Sequence, residues 1–345
     1  MTSSFADQTG ELITIVVPVY NRAGRLLSEA LDSVLAQDYP NLEVIAIDDG
    51  STDDTPDALA KYASRHSDRF RWERQENQGQ AAALNRGFEL AEGRLLGYLS
   101  SDDVLLPGAI SRLAAELARR SDAVLAYPAY QVIDEAGEVV DTMTPPEYSR
   151  VESVRLQDTI VGPGALFRAD ALRRAGPLRT DLRYLADKEI WLRLNRVGPF
   201  VRIPEPLACW RRHGAAITVA EQGREMADER LRILDSVFAD EPETELLAVR
   251  DQAYRNALVL SATVIAPGFN GAGERYFVVD RHAAEVSATA GAQSLEARLG
   301  AARDQLVVQR ERIAELAERN AELRERLRHP LRAMAAELRH RGTRS

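Results

Sequence analysis

The chain has 345 residues, of which 45% are hydrophobic and 28% charged, with a formal net charge of -9 and one cysteine, Cys209. That length suits one large domain with an appendage, or two domains, and the composition is that of an ordinary globular protein. The acidic balance excludes general nucleic-acid binding, which leans on a basic face, and one cysteine excludes a disulfide framework or a cysteine-built zinc site. Met1 to Gln8 has no basic region leading into an apolar stretch, so no signal peptide is expected. The longest apolar run, roughly Ala257 to Phe269, is too short to span a bilayer and is broken by Pro267-Gly268. A soluble cytoplasmic protein, at most peripheral at the inner face of a membrane, is expected.

After a disordered stretch at 1–11, strand-like and helix-like segments alternate from Ile13 to about Tyr130. Ile13 to Val19 is a β-branched run dense enough for a central strand buried on both faces. Leu27, Ala30, Leu31, Val34 and Leu35 give Arg25–Ala36 helical spacing, and Leu42–Ile47 is the next strand. Thr52 or Asp53 can cap the following helix, with Pro56 in its first turn. Phe70–Glu73 is a strand candidate, Gln80–Ala91 a helix closed by Gly93, Leu95–Leu99 a strand, Pro107–Arg119 a helix, and Ala123–Tyr127 a strand. The rhythm predicts an α/β fold, a mostly parallel sheet with helices on both faces.

From Val139 to about Thr218 the pattern loosens into loops, with one clear helix over Asp187–Arg196. The main domain is bounded at 12–220, and 221–290 reads as a helical extension. Beyond it, Leu299, Leu306, Ile313, Asn320 and Leu327 recur every seven residues, with Ala302, Gln309, Leu316 and Leu323 between them. This heptad pattern predicts a coiled coil over 291–329 and hence a homodimer, Asn320 fixing register; a single amphipathic helix packed on its parent domain is the alternative. Pro330 ends it, and the tail at 330–345, with Arg332, Arg339, Arg341 and Arg344, either lies on an anionic membrane surface or is a frayed terminus.

The residues able to do chemistry gather at strand ends, where ligands of open α/β sheets bind. Val17-Pro18-Val19-Tyr20-Asn21 offers a strand-ending proline and an aromatic surface on which a base can stack. Asp48-Asp49-Gly50-Ser51-Thr52-Asp53 reads as a turn and helix cap, or as carboxylates for a base or ribose. Asn77-Gln78-Gly79-Gln80, running on to Asn85, opens a helix whose free N–H groups allow close ligand approach. Neither a GxxxxGK[ST] loop nor a GxGxxG is present. Ser101-Asp102-Asp103 is a metal candidate, since Mg²⁺ or Mn²⁺ takes one or two carboxylates plus substrate phosphates; a helix cap is the alternative. Asp187 is either an acidic residue matched to a helix dipole or a general base, and His213 either a metal or phosphate partner or structural.

In this order the motifs resemble glycosyltransferase family 2, with its nucleotide-sugar-binding GT-A fold, over about residues 12–218. The likeness is carried by Val17 to Asn21, Ile47 to Asp53, Asn77-x-Gly79 with Asn85, Leu99 to Asp103, Gly164 to Arg168 and Ala186 to Arg193. It implies that Pro18, Tyr20 and Asp49 form the base pocket, with Asp48 in support. Asn77, Gly79 and Asn85 belong to the donor motif, and Asp102 lies on the ribose or diphosphate side. Asp103 would hold Mn²⁺ or Mg²⁺ with His213 near the diphosphate, and Asp187 would be the catalytic base. Three positions depart from the family pattern: Ser100 for an Asp, Leu84 for an Arg, and Ala186 for the Glu before the base. The processive enzymes' Gln-x-x-Arg-Trp motif is absent. The implied activity is an inverting transfer from a nucleotide-diphosphate sugar to a saccharide or lipid-linked acceptor, in cell-surface polysaccharide or glycolipid assembly. A nucleotidyltransferase on a similar sheet, and a non-catalytic coiled-coil assembly protein with a nucleotide-sugar-binding module, are the competing readings.

Overall fold

A computed structural model describes residues 10–212, 224–239 and 243–265. The predicted coiled coil, the basic tail, most of the N-terminal stretch and His213 lie outside the described residues. Strands β1 (Ile13–Val19), β2 (Leu42–Asp48), β3 (Phe70–Arg74) and β4 (Leu95–Tyr98) alternate with helices α1 (Arg25–Leu35), α2 (Thr55–Arg65) and α3 (Gln80–Leu90). Then come β5 (Val104–Leu105), α4 (Ala109–Arg119), β6 (Leu125–Ile133), β7 (Val139–Met143), α5 (Arg150–Leu156), β8 (Leu166–Arg168), α6 (Ala169–Ala175), α7 (Ala186–Val197) and β9 (Phe200–Arg211). Helices α8 (Arg224–Ala239) and α9 (Thr244–Ile265) follow.

The strands form one nine-stranded sheet in the order β3-β2-β1-β4-β8-β6-β9-β5, with β7 paired to β6. β3, β2, β1 and β4 run parallel, as do β6 and β9, while β8, β5 and β7 run against their neighbours. The sheet is therefore mostly parallel, as its sequence rhythm predicts, with short antiparallel insertions that the rhythm does not show.

Because side chains alternate along a strand, β1 feeds two cores. Ile13, Ile15, Val17 and Val19 face α1, α2 and α4, and Val16 faces the layer built from α3, α5, α6 and α7. Met226, Ile233 and Leu234 of α8 and Leu246, Ala253 and Ala257 of α9 belong to that second layer. The segment set apart as a helical extension thus shares the core of the main domain.

The chain winds from β1 outward to β2 and β3, then returns to place β4 on the other side of β1, so a crevice opens between β1 and β4. The carbonyl of Val16 accepts from Leu99 N (3.0 Å) and that of Val19 from Asp49 N (2.8 Å). Pro18, two residues past Val16, accordingly turns its backbone toward β4, where it has no N–H to give. β1 and β4 pair only from Ile13–Leu95 to Val16–Tyr98. Beyond that point they part, and Leu99 to Asp103 leave the sheet as a loop.

Leu234→Ala, emptying a fully buried position of α8, should cost about 2–5 kcal/mol if α8 and the sheet are one cooperative unit. Urea unfolding followed by the tryptophans, Trp72, Trp191 and Trp210, all outside α8, checks this. An unchanged midpoint would place α8 outside that unit.

Candidate active site

Two loops at the strand ends are stapled to each other. Asn21, in a left-handed conformation (φ 46°), accepts from Thr52 N at 2.7 Å and donates its own N–H to Ser51 Oγ at 2.9 Å. Arg22 N donates to Thr55 Oγ1 (2.9 Å) and Ala23 N to Asp53 Oδ2 (3.0 Å). Asp53 therefore bridges the loops through Oδ2 and accepts through Oδ1 from Thr55 N (3.0 Å) at the start of α2, whose N-cap, Asp54, makes no side-chain cap bond. This staple fixes Tyr20, 47% exposed at the end of β1, beside the β2 loop.

The Asp48-Asp49 pair is buried and divided in its tasks. Asp48 Oδ1 accepts from Ser51 N (3.0 Å), tightening the turn, and its Oδ2 lies 3.4 Å from Arg74 Nε. Asp49 Oδ1 accepts from Gln75 Nε2 (2.7 Å) and Gln78 N (2.9 Å), and its Oδ2 from Gly79 N (2.8 Å). A carboxylate offers about four lone-pair sites, so about one remains for a ligand. Of the N–H groups leading into α3, those of Gln78 and Gly79 are thus spent on Asp49. Gly79 (φ 88°) supplies the left-handed turn this needs, and a side chain at Gly50 would collide with Asn77 N at 2.8 Å. Asn77 itself is exposed beside this turn. Asn85 has a different task from the donor contact expected of it. Its amide donates to Leu178 O (2.9 Å) and accepts from Leu178 N (2.8 Å), anchoring α3 to the segment before α7.

The second acidic pair sits in the loop where β4 leaves β1. Asp103 is 5% exposed and accepts from Arg211 N at 2.8 Å; burial, then the negative charge of Asp102, raises its carboxyl well above the usual range. Asp102 Oδ2 lies 3.3 Å from Arg22 Nη2, which ties this loop to the stapled pair. Arg22 Nε is buried with no hydrogen-bond partner among the described residues. Arg211, 2% exposed, donates from Nε to Asp102 O (2.9 Å) and from Nη1 to Asp134 O (3.1 Å), and pairs with Glu29. Neither arginine stands out in the sequence, because their partners are distant along the chain. Among the described residues no group of three or more His, Cys, Asp or Glu gathers to hold a metal. Two adjacent carboxylates, one of them disfavoured as an anion, fit a cation that takes its remaining ligands from substrate phosphate and water.

Asp187 stands in the first turn of α7 and accepts from Lys188 N at 2.6 Å. Burial pushes its carboxyl up to about 6 against the pull of Lys188, with Glu229 adding to the rise. The Tyr98 hydroxyl is raised first by burial and then by the charges of Asp187 and Asp103, so both carboxylates lie within electrostatic reach of it. Tyr98 is held in place by stacking on Trp191 of α7, with ring centroids 6.3 Å apart. Asp103, from the β4 loop, and Asp187, from α7, thus both act electrostatically on one tyrosine. Lys188, 1% exposed, reaches Gln157 Oε1 (3.3 Å), and burial together with Arg230 lowers its ammonium well below the usual range.

Residues 14–175 match the sequence model for Glycosyl transferase family 2. This stretch, just under half of the chain, is similar to that family's domain. The match takes in both acidic pairs, while Asp187 and His213 lie beyond it. An uncharacterized glycosyltransferase of Rickettsia felis is 29% identical over 255 residues, 70% of this chain and 41% of that protein. Another, of Nostoc sp., is 32% identical over 212 residues, 59% of this chain and 65% of the relative. Chondroitin synthase of Escherichia coli is 31% identical over 206 residues, 59% of this chain and 29% of its own length. The chain therefore spans less than two thirds of these curated relatives. Among solved structures, Staphylococcus aureus TarS 1–349 in complex with UDP-GlcNAc superposes with a TM-score of 0.58 at 19% identity, covering 72% of this chain and 71% of that one. The mannosyltransferase PcManGT from Pyrobaculum calidifontis, in complex with GDP-Man and Mn²⁺, gives 0.54 at 20% identity, covering 81% and 80%. At such identities the likeness shows the fold alone, and it is the GT-A fold.

Two changes test this arrangement. Asp187, with its carboxyl raised from 3.8 to about 6, binds its proton more tightly folded than unfolded. Protonation therefore favours the fold at low pH, and stability declines as pH rises through that window. Asp187→Asn should stabilise the chain at pH 7 by about 1–3 kcal/mol and lose that advantage below about pH 4, as denaturation at both pH values would show. Arg211→Met, which takes the guanidinium from Glu29 and from the carbonyls of Asp102 and Asp134 while keeping the backbone N–H given to Asp103, should cost about 3–5 kcal/mol in the same measurement.

Proposed function

We propose that the chain is an inverting, divalent-cation-dependent glycosyltransferase that moves a sugar, a hexose or a close relative, from a nucleotide-diphosphate donor to an acceptor hydroxyl. The observation that carries this is the placement of Asp103 in the loop where β4 leaves β1 and of Asp187 in the first turn of α7, both within electrostatic reach of Tyr98, in a chain whose residues 14–175 match the family 2 model. Tyr20 stacks on the base, closed in by Pro18 and Asn77, and the remaining lone pair of Asp49 accepts from a base N–H, with Asp48 holding its turn. Asp102 faces the ribose and diphosphate, beside the guanidinium of Arg22. Asp103 and His213, with the substrate's phosphates, would hold the divalent cation, which when bound would supply positive charge against the departing diphosphate. The neighbours crystallised with UDP-GlcNAc and with GDP-Man and Mn²⁺ support this class of donor and metal.

In the transfer step, Asp187 takes the proton of the acceptor hydroxyl as that oxygen bonds to the anomeric carbon. The bond from that carbon to the diphosphate oxygen breaks, its electron pair leaves with the nucleoside diphosphate, and the anomeric configuration inverts. Burial suits Asp187 to this task by raising its basicity toward neutral pH while leaving it ionised at pH 7. The acceptor is a saccharide or lipid-linked chain in cell-surface polysaccharide or glycolipid assembly. The chain works in the cytoplasm as a homodimer joined by the heptads of 291–329, its basic tail resting on the membrane face. Among the described residues no helix is long and apolar enough to cross a membrane.

Donor turnover is read as nucleoside diphosphate released from UDP-GlcNAc or GDP-mannose with Mn²⁺. Asp187→Asn should lower it by about a thousandfold while nucleotide binding by calorimetry stays within about twofold, and the wild-type rate should fall tenfold per pH unit below about pH 6. Wild-type turnover in Asp187→Asn, or pyrophosphate as the released product, rejects the reading. Asp103→Ala should weaken nucleoside diphosphate binding when Mn²⁺ is present and leave it unchanged with a chelator; equal weakening in both would remove Asp103 as the metal ligand.

A further inference from the structure

Helix α7 begins at Ala186, and its N-cap, Leu185, makes no side-chain cap bond. The N–H groups leading into the helix are nonetheless paired, and by one side chain from another element. Glu229 of α8, 2% exposed, accepts from Arg183 N at 2.6 Å through Oε1, and from Tyr184 N at 2.9 Å and Leu185 N at 3.0 Å through Oε2. Three donors on one carboxylate fix the path of 183–185, and with it the direction in which the chain launches Asp187 two residues later.

The same face of α8 is bound along this segment at further points. Tyr184 Oη donates to Glu225 Oε2 (3.2 Å), and Arg232 Nη1 reaches Asp181 Oδ2 (2.9 Å). Arg230, the next residue along, donates to Gln157 O at 2.7 Å, holding the left-handed residue that ends α5. Gln157 in turn takes Lys188 Nζ, the ammonium nearest Asp187 in the chain. Consecutive residues of α8 thus brace the backbone before Asp187 and the lysine after it.

We propose that Glu229 is a positioning residue for transfer: α8 sets the pose and proton affinity of Asp187 through this carboxylate. The proposal rests on Asp187 acting as the base. It assigns a catalytic duty to a helix beyond the family match, which a helical extension would not have. The charged and titratable groups that act on Asp187 are Lys188 on its own helix, Glu229 on α8 and Tyr98 on β4, and Lys188 in turn feels Arg230 on α8 and Asp158 in the loop after α5. Replacing Glu229 by Gln removes the one anion on α8 that raises Asp187, and it turns an amide donor toward N–H groups that need an acceptor.

The test uses the full chain carrying Glu229→Gln or Glu229→Asp, with UDP-GlcNAc, GDP-mannose and Mn²⁺ as probes and nucleoside diphosphate release as the rate. Titration of ¹³C-labelled aspartate carboxyls, with Asp187 assigned by its loss in Asp187→Asn, gives proton affinity independently of turnover. In a folded Glu229→Gln chain, kcat should fall about tenfold or more with nucleotide KM within about twofold, and the Asp187 midpoint should move to lower pH. Glu229→Asp, which keeps the charge on a shorter stem, should recover part of kcat and keep the wild-type midpoint. Unchanged kcat and midpoint in Glu229→Gln overturn the proposal, as does a loss confined to KM. Failure of both variants to fold also overturns it, since Glu229 then serves the fold alone. Wild-type turnover in Asp187→Asn would instead remove the base reading on which the proposal stands.

Discussion

A missing N–H at Pro18 decides where the central strands separate. β1 and β4 pair only up to Val16 and Tyr98, and the site depends on what happens past that point. Were the ladder to continue, Leu99 to Asp103 would lie in the sheet with their backbone bonded to β1. Instead they turn away as a loop whose carboxylates face Arg22 and Arg211. The crossover order sets the crevice between β1 and β4, and the proline gives it depth.

The crevice concentrates negative charge before any substrate arrives. Asp48, Asp49 and Asp103 are buried, and the basic groups beside them are fixed by hydrogen bonds. Asp49 takes two backbone N–H groups and Gln75, and Asp48 takes Ser51 N while its buried Oδ2 faces Arg74 without a hydrogen bond, so both act as scaffolding for the turns they bind. Asp103 and Asp187 differ, since burial raises both, and among the described residues neither forms an ion pair that offsets it. Groups held in an unfavourable ionisation state are where a protein stores reactivity at the expense of stability.

Much of the first half was legible in the sequence because β1 to α3 follow one rule, alternating β-branched runs with helical spacing. The second half was not, and β9 shows why. Its sequence carries Pro204 and Pro206, which count against a strand, yet it pairs along the length of β6. The register slips at Pro128–Ala129 and Ala129–Tyr130, and those irregularities absorb the prolines. Short β5 and β8 exist only because a neighbour pairs with them, which no local pattern reports. At the site, Asp102, Asp103 and Asp187 announce themselves by residue type and placement. Asn85 reads as a ligand contact and proves to be a backbone anchor, while Arg211 and Glu229 give no signal because their partners sit far away in the chain.

Arg211 has a consequence for how the molecule comes into being. Its guanidinium joins Glu29, the backbone of Asp102 and that of Asp134, so one late residue closes contacts with three earlier segments. A chain emerging from the ribosome can complete the 14–175 stretch and still lack the group that seats Asp103. Contacts of such long range form late in folding. The nascent domain is therefore built before it is armed, and its affinity for donor should arise only once β9 has docked.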